Sequence, residues 1–177
     1  MPTVTVLMPV YNCEVYVGEA VESILNQTFT DFDFLIIDDG STDTSREIIQ
    51  GYAQTDSRIR FVENEKNLGL VASLNKGVSM IKTEFIARMD ADDISLPKRL
   101  ETQIKFMKEN LDVDVCGTAY VHFGNGHGLV RHAECHDDIK IQMCFDCPIG
   151  HPTVVMRTAL FEAHSLSYNE CLVAASD

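Results

Sequence analysis

The segment Ile86-Ala87-Arg88-Met89-Asp90-Ala91-Asp92-Asp93 contains three carboxylates directly after a short apolar run. Such a run, bounded by polar residues, is typical of a buried strand. Oxygen ligands at this density suit hard divalent cations such as Mg²⁺ or Mn²⁺, which commonly carry phosphate groups. An isolated Asp-x-Asp is more often a solvated acidic turn, in which Asp93 or Ser95 caps the next helix. The rest of the chain decides between these interpretations.

Apolar runs alternate with amphipathic helical patterns on both sides of this segment. The pattern predicts strands over Val4–Met8, Phe34–Ile37, Ile59–Val62, Phe85–Met89, Val113–Thr118 and Thr153–Met156. It predicts helices over Val17–Asn26, Thr44–Ala53, Leu70–Ile81, Pro97–Asn110 and Asp137–Cys144, and a hairpin or a mobile loop over Tyr120–Gly128. Continuous apolar strands between helices are typical of a mostly parallel sheet covered on both faces. We therefore predict one α/β domain over residues 1–177, with a doubly wound, Rossmann-like sheet.

The composition limits the partners that the protein can have. The 177 residues are 45% hydrophobic, and 14 Lys and Arg stand against 27 Asp and Glu, a formal net charge of −13. A surface this acidic repels nucleic acid, so we expect no nucleic-acid partner. It also repels a phosphorylated ligand unless a metal ion or a few placed cations neutralise the phosphates. The charge therefore favours a metal at Asp90–Asp93.

Export and membrane signals are missing from the sequence. The N-terminus lacks the basic residues and the long apolar run of a signal peptide, and no apolar stretch approaches the ~20 residues that span a bilayer. We therefore predict a cytoplasmic protein with no transmembrane segment, in which the six cysteines are reduced thiols. The chain ends at Asp177 without a terminal helix, which predicts a fragment of a longer protein.

Three polar motifs each follow a predicted strand. They are Pro9-Val10-Tyr11-Asn12, Asp38-Asp39-Gly40-Ser41-Thr42-Asp43 and the acidic segment Asp90–Asp93. Because the loops after the carboxyl ends of parallel strands line the ligand crevice of an open sheet, we expect the three motifs to converge. Tyr11 offers a flat face for a nucleobase, and Asp39 offers an acceptor for an imide N–H such as that of uracil.

The acidic segment completes a predicted nucleotide-sugar site. Asp90, Asp92 and Asp93 would hold a divalent ion that bridges the two phosphates and stabilises the diphosphate as it leaves. Neither Gly-x-Gly-x-x-Gly nor a Gly-rich loop ending in Lys-Ser or Lys-Thr follows any predicted strand. A dinucleotide or a P-loop nucleotide is therefore poorly supported, and phosphate binding is expected to depend on a metal.

Five motifs resemble, in order and spacing, those of the family 2 inverting glycosyltransferases with a GT-A fold, a family that includes bacterial enzymes of polysaccharide biosynthesis. The motifs are Pro9-Val10-Tyr11-Asn12, Ile37-Asp38-Asp39-Gly40-Ser41-Thr42-Asp43, Asn67-Leu68-Gly69 with Ser73-Leu74-Asn75-Lys76-Gly77, Arg88-Met89-Asp90-Ala91-Asp92-Asp93, and Gly150-His151-Pro152-Thr153. The resemblance implies a GT-A fold, truncated on the acceptor side. It also implies metal-dependent transfer of a hexosyl or N-acetylhexosaminyl group from a UDP-sugar to a glycan or lipid-linked glycan acceptor, with peripheral association of the full-length protein at the cytoplasmic face of a membrane.

The resemblance also implies roles for individual residues. Asp90, Asp92 and Asp93 would bind Mn²⁺ or Mg²⁺ as the Asp-x-Asp motif of the family. The residues expected to contact the nucleotide are Pro9, Tyr11, Asn12, Asp39, Asn75, Arg88, Asp90 and Ala91. Two of these have a structural alternative, since Arg88 can pair with neighbouring carboxylates and Asn75 can hydrogen-bond within its own helix.

An inverting transfer needs a carboxylate that takes the proton of the acceptor hydroxyl. In the family this base is the Asp of a Glu-Asp pair. The resemblance places it at Asp177, where Ser176 replaces the usual Glu. A non-catalytic module that only binds a nucleotide sugar is the alternative function.

Thiols and imidazoles in the second half of the chain form a separate candidate site. They are His132, Cys135, His136, Cys144, Cys147 and His151. Cys144-x-x-Cys147 has zinc-ligand spacing, but the first half supplies no matching pair, and buried free cysteines are common. A phosphatase of the Asp-x-Asp type is disfavoured. Such enzymes carry the two aspartates after the first strand, whereas in this chain the acidic segment follows the fourth predicted strand.

Overall fold

The computed structural model describes residues 1–124 and 128–169. Its strands are β1 Val4–Val10, β2 Phe32–Asp38, β3 Ile59–Glu63, β4 Phe85–Arg88, β5 Val115–Cys116, β6 Tyr120–His122, β7 Gly128–Val130 and β8 Val155–Arg157. Its helices are α1 Val17–Leu25, α2 Ser45–Thr55, α3 Leu70–Met80, α4 Arg99–Glu109, α5 His136–Gln142 and α6 Ala159–Ala163, with a 3₁₀ turn at His151–Thr153. Within the described ranges, no helix is long and apolar enough to cross a membrane.

The central sheet has the strand order β3-β2-β1-β4-β8-β5. β1 pairs in parallel with β2 and β4, and β2 pairs in parallel with β3. β8 runs antiparallel to both of its neighbours, β4 and β5. The prediction of a mostly parallel α/β sheet is therefore confirmed. The chain first adds β2 and β3 on one side of β1 and later adds β4 on the other, so the order reverses beside β1, where open α/β sheets bind ligands.

Helices cover both faces of the sheet, because β1 and β2 are apolar on both sides. On one face, Val6 and Met8 belong to a core that includes buried residues of α1, α2 and α4. On the other face, Leu7 and Leu35 pack with α3. Gly77 lets α3 approach closely, since a Cβ at this position would lie 2.4 Å from Leu7 Cδ1. The sheet is therefore doubly wound, as predicted.

The second half of the chain departs from the predicted elements at β5, at β8 and at α6, a helix that no sequence pattern predicted. The strand expected over Val113–Thr118 is reduced to β5, because it lies at the sheet edge and its neighbour β8 has only 3 residues. The strand expected over Thr153–Met156 begins later, because the Thr153 hydroxyl donates to the Gly150 carbonyl and stabilises the 3₁₀ turn. β6 and β7 pair in an antiparallel hairpin, which confirms the hairpin interpretation of this region.

Candidate functional site

The carboxyl ends of β1, β2 and β4 meet at one edge of the sheet. Val10 at the end of β1 is in register with Asp38 at the end of β2, and Leu7 is in register with Arg88 at the end of β4. The Asp39 amide continues the β1–β2 ladder by donating to the Val10 carbonyl at 2.8 Å. The structure therefore brings the three predicted motifs to the same edge.

The loops after β1 and β2 hold each other through side-chain hydrogen bonds. Asn12 has a φ of 49°, a left-handed conformation that asparagine tolerates better than most residues. Its backbone N–H donates to Ser41 Oγ at 3.0 Å, and its Oδ1 accepts from the Thr42 amide at 2.8 Å. Tyr11, directly before this anchor, is 47% exposed. The Asn12 side chain thus fixes the loop that presents the tyrosine ring. Pro9, another predicted contact, lies within β1.

Asp39 is buried, at 3% exposure, and its carboxylate accepts hydrogen bonds from the segment before α3. Oδ1 accepts from Asn64 Nδ2 at 2.7 Å and from the Leu68 amide at 2.9 Å. Oδ2 accepts from the Gly69 amide at 2.8 Å, and the same amide also donates to Asn67 Oδ1. A carboxylate has about four lone-pair positions. Asp39 therefore anchors the loop over residues 67–69, and the described residues leave one lone pair, on Oδ2, without a donor.

Gly40 makes this arrangement possible. Its φ is +72°, and a Cβ at this position would lie 2.6 Å from the Lys66 carbonyl carbon and 2.8 Å from the Asn67 nitrogen. The loop over residues 64–69 therefore approaches the end of β2 more closely than any side chain at position 40 permits.

The Asn75 amide bonds neither within its helix nor with a neighbouring side chain. Its Nδ2 donates to the Tyr168 carbonyl at 2.9 Å, and its Oδ1 accepts from the Tyr168 amide at 2.8 Å. The helix-internal alternative is therefore wrong, and Asn75 joins α3 to the segment after α6. Its contact with a nucleotide stays a prediction.

Arg88 is 2% exposed, and its Nη1 donates to Asp90 Oδ1. Its backbone is also hydrogen-bonded at the carboxyl end of β4. The amide donates to the Val154 carbonyl at 2.9 Å, and the carbonyl accepts from Arg99 Nη2 at 2.6 Å. Arg88 Nε is buried and has no hydrogen-bond partner among the described residues. The structural alternative for Arg88, pairing with a neighbouring carboxylate, is therefore present.

The acidic loop concentrates negative charge beside the loop after β1. Asp92 is exposed, whereas Asp90 and Asp93 are partly buried and Ala91 is buried. Burial, followed by the charges of Asp90 and Asp92, raises the pKa of Asp93 to about 6. Burial also raises the pKa of the Cys13 thiol to about 11, and the charges of Asp92, Asp43 and Asp90 contribute. The carboxylates of Asp90, Asp92 and Asp43 thus lie close enough to the loop after β1 to disfavour ionisation of the Cys13 thiol.

Residues 1–124 and 128–169 contain no group of three or more His, Cys, Asp or Glu side chains placed to hold a metal ion. In the zinc candidate, Cys144 Sγ and Cys147 Sγ instead lie near the carbonyls of Lys140 and Ile149. The acidic loop is not a complete protein cage either. Mg²⁺ usually binds through one or two carboxylates plus substrate phosphates and water, so an incomplete set still fits a hard cation that arrives with a diphosphate.

His151 and Tyr168 form a contact close enough to Arg88 for its charge to influence both side chains. His151 Nε2 lies 3.2 Å from the Tyr168 hydroxyl, and the ring centroids are 5.5 Å apart. Burial, and then the charge of Arg88, lower the pKa of His151 to about 4. Burial also raises the pKa of the Tyr168 hydroxyl. Both side chains are therefore neutral near pH 7.

Two residues at this edge were missed by the sequence analysis. Asn64 contacts Asp39, and its signal was an amide directly after the β3 strand. Arg99 donates to the Arg88 carbonyl, and burial lowers its pKa to about 10, so it stays charged near pH 7. Its signal was a cation in the first turn of α4, where the helix dipole favours acidic residues. The predicted base Asp177, with Ser176, lies outside the described residues.

Comparison with known proteins gives a consistent family. Residues 5–164 match the family model described as glycosyl transferase family 2. An uncharacterized glycosyltransferase of Methanocaldococcus jannaschii is 38% identical over 183 residues, which cover 99% of this chain and 62% of that protein. The chain thus spans about three fifths of the length of this relative, and 58% of an uncharacterized glycosyltransferase of Haemophilus influenzae.

Solved structures share the fold. The segment 1–349 of S. aureus TarS has a TM-score of 0.80 and 24% identity, over 98% of this chain and 52% of that one, and it has also been solved with UDP and with UDP-GlcNAc. The mannosyltransferase PcManGT of Pyrobaculum calidifontis, in complex with GDP-Man and Mn²⁺, has a TM-score of 0.69 and 18% identity, over 92% of this chain and 46% of that one. These neighbours confirm the predicted GT-A fold.

Proposed function

The chain belongs to glycosyl transferase family 2, and on this premise we propose that it binds a UDP-sugar with a divalent cation and transfers the sugar, with inversion, to a glycan or lipid-linked glycan acceptor. One observation carries the proposal. Tyr11, Asp39 and Asp90 follow β1, β2 and β4, which are neighbours in the sheet. An aromatic face, a proposed base acceptor and an acidic loop therefore lie at one edge of the sheet.

Tyr11 and Asp39 are the proposed contacts of the base. The half-exposed Tyr11 ring can stack on a pyrimidine, and Asn12 holds the loop that presents it. The remaining lone pair of Asp39 Oδ2 can accept the imide N–H of uracil. TarS, which shares the fold, is solved with UDP, and this supports uracil as the base. Pro9, the second-last residue of β1, is the third proposed contact of the base.

The diphosphate is proposed to lie near the end of β4. The formal net charge of −13 makes binding of a dianion unfavourable unless local positive charge compensates. Arg88, which contacts Asp90, and Arg99, which contacts the Arg88 carbonyl, supply such charge. Ala91, between Asp90 and Asp92, is a further proposed contact of the nucleotide. Asn75, on α3, is also a proposed contact of the nucleotide. Its amide bonds to the Tyr168 backbone.

One or two of the carboxylates of Asp90, Asp92 and Asp93 would hold the cation, together with the diphosphate and water. Their chemistry suits Mg²⁺ or Mn²⁺. Burial and then repulsion by Asp90 and Asp92 raise the pKa of Asp93, and a bound cation would relieve that repulsion. When bound, the ion would neutralise charge on the departing diphosphate. PcManGT, with the same fold, is solved with Mn²⁺, which supports a divalent ion.

The proton of the acceptor hydroxyl is proposed to pass to Asp177. The proposal rests on the family resemblance of this position, since Asp177 lies outside the described residues. Asp177→Asn should abolish transfer and leave UDP affinity unchanged, because a general base contributes to the transition state and not to donor binding.

A thermal-shift series tests donor binding directly. We expect UDP with Mn²⁺ to raise the melting temperature by about 5–10 °C at a hundredfold excess over Kd, because ligand-linked stabilisation is then about 2.7 kcal/mol. UDP without Mn²⁺ should give a smaller shift. If neither UDP nor GDP shifts the melting temperature with or without Mn²⁺, the proposed function is wrong.

Turnover distinguishes an enzyme from a binding module. Release of UDP from UDP-sugars, measured with and without glycan acceptors, should require both Mn²⁺ and the carboxylates of the acidic loop. Binding of UDP with Mn²⁺ but no release from any donor would indicate the non-catalytic module.

A further inference from the structure

Asn64 lies at the centre of a buried polar network beneath Asp39. It is 3% exposed, and its Nδ2 donates to Asp39 Oδ1 at 2.7 Å and to Ser73 Oγ at 2.9 Å. Its Oδ1 accepts from Lys76 Nζ at 2.5 Å. Its own backbone amide donates to the Asp38 carbonyl at 2.8 Å. Every polar atom of the Asn64 side chain thus has a partner, and the ammonium on one side and the carboxylate on the other fix the orientation of the amide.

This orientation limits what Asp39 can accept. The two lone-pair positions of Asp39 Oδ1 are used by Asn64 and by the Leu68 amide. Oδ2 accepts from the Gly69 amide, and a carboxylate offers about four positions in total. A ligand therefore meets one acceptor position on Asp39 and not two.

Nucleobases differ in how many donors they present to such a group. Uracil presents a single N3–H between two carbonyls. Guanine presents N1–H and the exocyclic amino group side by side, an edge that pairs best with both oxygens of one carboxylate. A guanine donor left unpaired in a buried pocket loses its hydrogen bond to water without replacement. One acceptor position therefore matches uracil better than guanine.

We propose that Asn64 sets the base specificity of the donor site. By occupying Asp39 Oδ1, it leaves a single acceptor on Oδ2 and selects a uracil nucleotide over a guanine nucleotide. Asn64 does not touch the base, so it is a positioning residue that acts through Asp39. The inference rests on the proposed function, because it assumes that Asp39 faces the base of a nucleotide.

Lys76 strengthens this arrangement. Its ammonium also donates to the Glu63 carbonyl at 3.3 Å, so it is held in place at the end of β3. An ammonium beside Asn64 Oδ1 favours the rotamer that points the amide N–H at Asp39, because the flipped amide would set an oxygen against a carboxylate. Lys76→Met should therefore weaken the selection without opening a cavity.

The test compares Kd for UDP and GDP, each with Mn²⁺, by calorimetry on the whole chain. In the wild type, UDP should bind more tightly than GDP. In Asn64→Ala, the ratio of the two Kd values should move toward GDP by about tenfold, the size expected for one hydrogen bond to a charged group. Asn64→Asp, which has the same shape but sets a carboxylate against Asp39, should lose at least about tenfold in UDP affinity. Lys76→Met should change the ratio by roughly threefold.

Asn110→Ala is the matched control, because the one bond of its side-chain amide within the described part of the chain goes to the Phe106 carbonyl at the end of α4. This variant should keep the wild-type ratio. An unchanged ratio in folded Asn64→Ala, or in Lys76→Met if Asn64→Ala does not fold, overturns the inference. A wild type that binds GDP as tightly as UDP also overturns it and leaves nucleotide-sugar binding intact. A wild type that binds neither nucleotide overturns the proposed function as well.

Discussion

The buried guanidinium of Arg88 donates a hydrogen bond to the carboxylate of Asp90. The Arg88 side chain is 2% exposed and that of Asp90 is 34% exposed, so the pair lies where the core meets the surface. Charge-assisted bonds in such partly desolvated places contribute more than pairs on the open surface. Asp90 Oδ2 accepts no hydrogen bond from the described residues, so pairing with Arg88 and binding of a cation are compatible.

Arg88→Met should lower both stability and UDP affinity. Removal of the guanidinium leaves Asp90 without its partner, and we expect a loss of about 1–3 kcal/mol in the free energy of unfolding. UDP affinity in Mn²⁺ should fall by about tenfold, because a buried positive charge below the acidic loop is lost. Urea denaturation and calorimetry measure the two effects.

Arg46→Met is the control for that change. Arg46 pairs with Glu63 on the surface at 2.6 Å, with both side chains about 40% exposed, and such pairs contribute about 0–1 kcal/mol. Its UDP affinity should match that of the wild type. Equal UDP affinities in Arg88→Met and Arg46→Met would remove Arg88 from the proposed donor site.

Asp92→Asn should separate metal-dependent from metal-independent binding. Loss of an exposed carboxylate removes a proposed ligand, so the extra thermal shift that Mn²⁺ gives to UDP should disappear. UDP without Mn²⁺ should bind slightly better than in the wild type, because one negative charge near the diphosphate is gone. Asp112→Asn, an exposed change of the same charge outside the acidic loop, should keep the Mn²⁺ effect. A wild-type response to Mn²⁺ in Asp92→Asn would contradict the metal assignment.

The sequence was sufficient for the parts of the fold that depend on local patterns. β1 is buried at all seven positions, so its apolar run was readable as a strand, and loops that follow such strands meet at one edge because parallel strands end together. Tyr11, Asp39 and Asp90 could therefore be grouped before any coordinates. Gly40 was readable only as a turn, since its close approach to residues 66 and 67 depends on a loop that packs from elsewhere.

Partners that are distant in sequence could not be derived in this way. The Asn75 amide is engaged by Tyr168, 93 positions later, and no periodicity signals such a contact. The antiparallel direction of β8 depends on the path of the chain after the hairpin, which composition does not encode. Asn64 was overlooked because an asparagine after a strand has many roles, and only the folded structure shows that its side chain contacts Asp39, Ser73 and Lys76.

The pH dependence of stability should change in His151→Gln. The folded pKa of His151 is about 4, against about 6.5 when unfolded, so between these values the unfolded chain binds a proton that the folded chain does not. The contribution of His151 to stability is therefore complete above about pH 6.5 and falls as the pH falls toward 4. His151→Gln should give a shallower decline over this window in urea denaturation.

Asp93 contributes with the opposite sign over part of the same range, because its folded pKa is raised to about 6. This contribution is common to wild type and variant, so it cancels in their difference. His164→Gln, a change at an exposed histidine, should follow the wild-type profile. Parallel profiles for His151→Gln and wild type would contradict the assignment.

Gly40→Ala should destabilise the fold and the donor site together. A residue with a side chain is strained at a φ of +72°, and its Cβ would lie 2.6 Å from a backbone atom of Lys66, so we expect a loss of about 2–4 kcal/mol. Gly51→Ala is the matched control, because, apart from the adjoining backbone of α2, no atom of the described residues lies within 4 Å of its added Cβ and alanine is favoured inside α2 by about 0.5–1 kcal/mol. The two substitutions should therefore shift the urea midpoint in opposite directions. Gly40 is next to Asp39 and contacts the loop that Asp39 anchors, so UDP affinity should fall only in Gly40→Ala. A stable Gly40→Ala protein with wild-type UDP affinity would show that the close approach of this loop is not needed for the site.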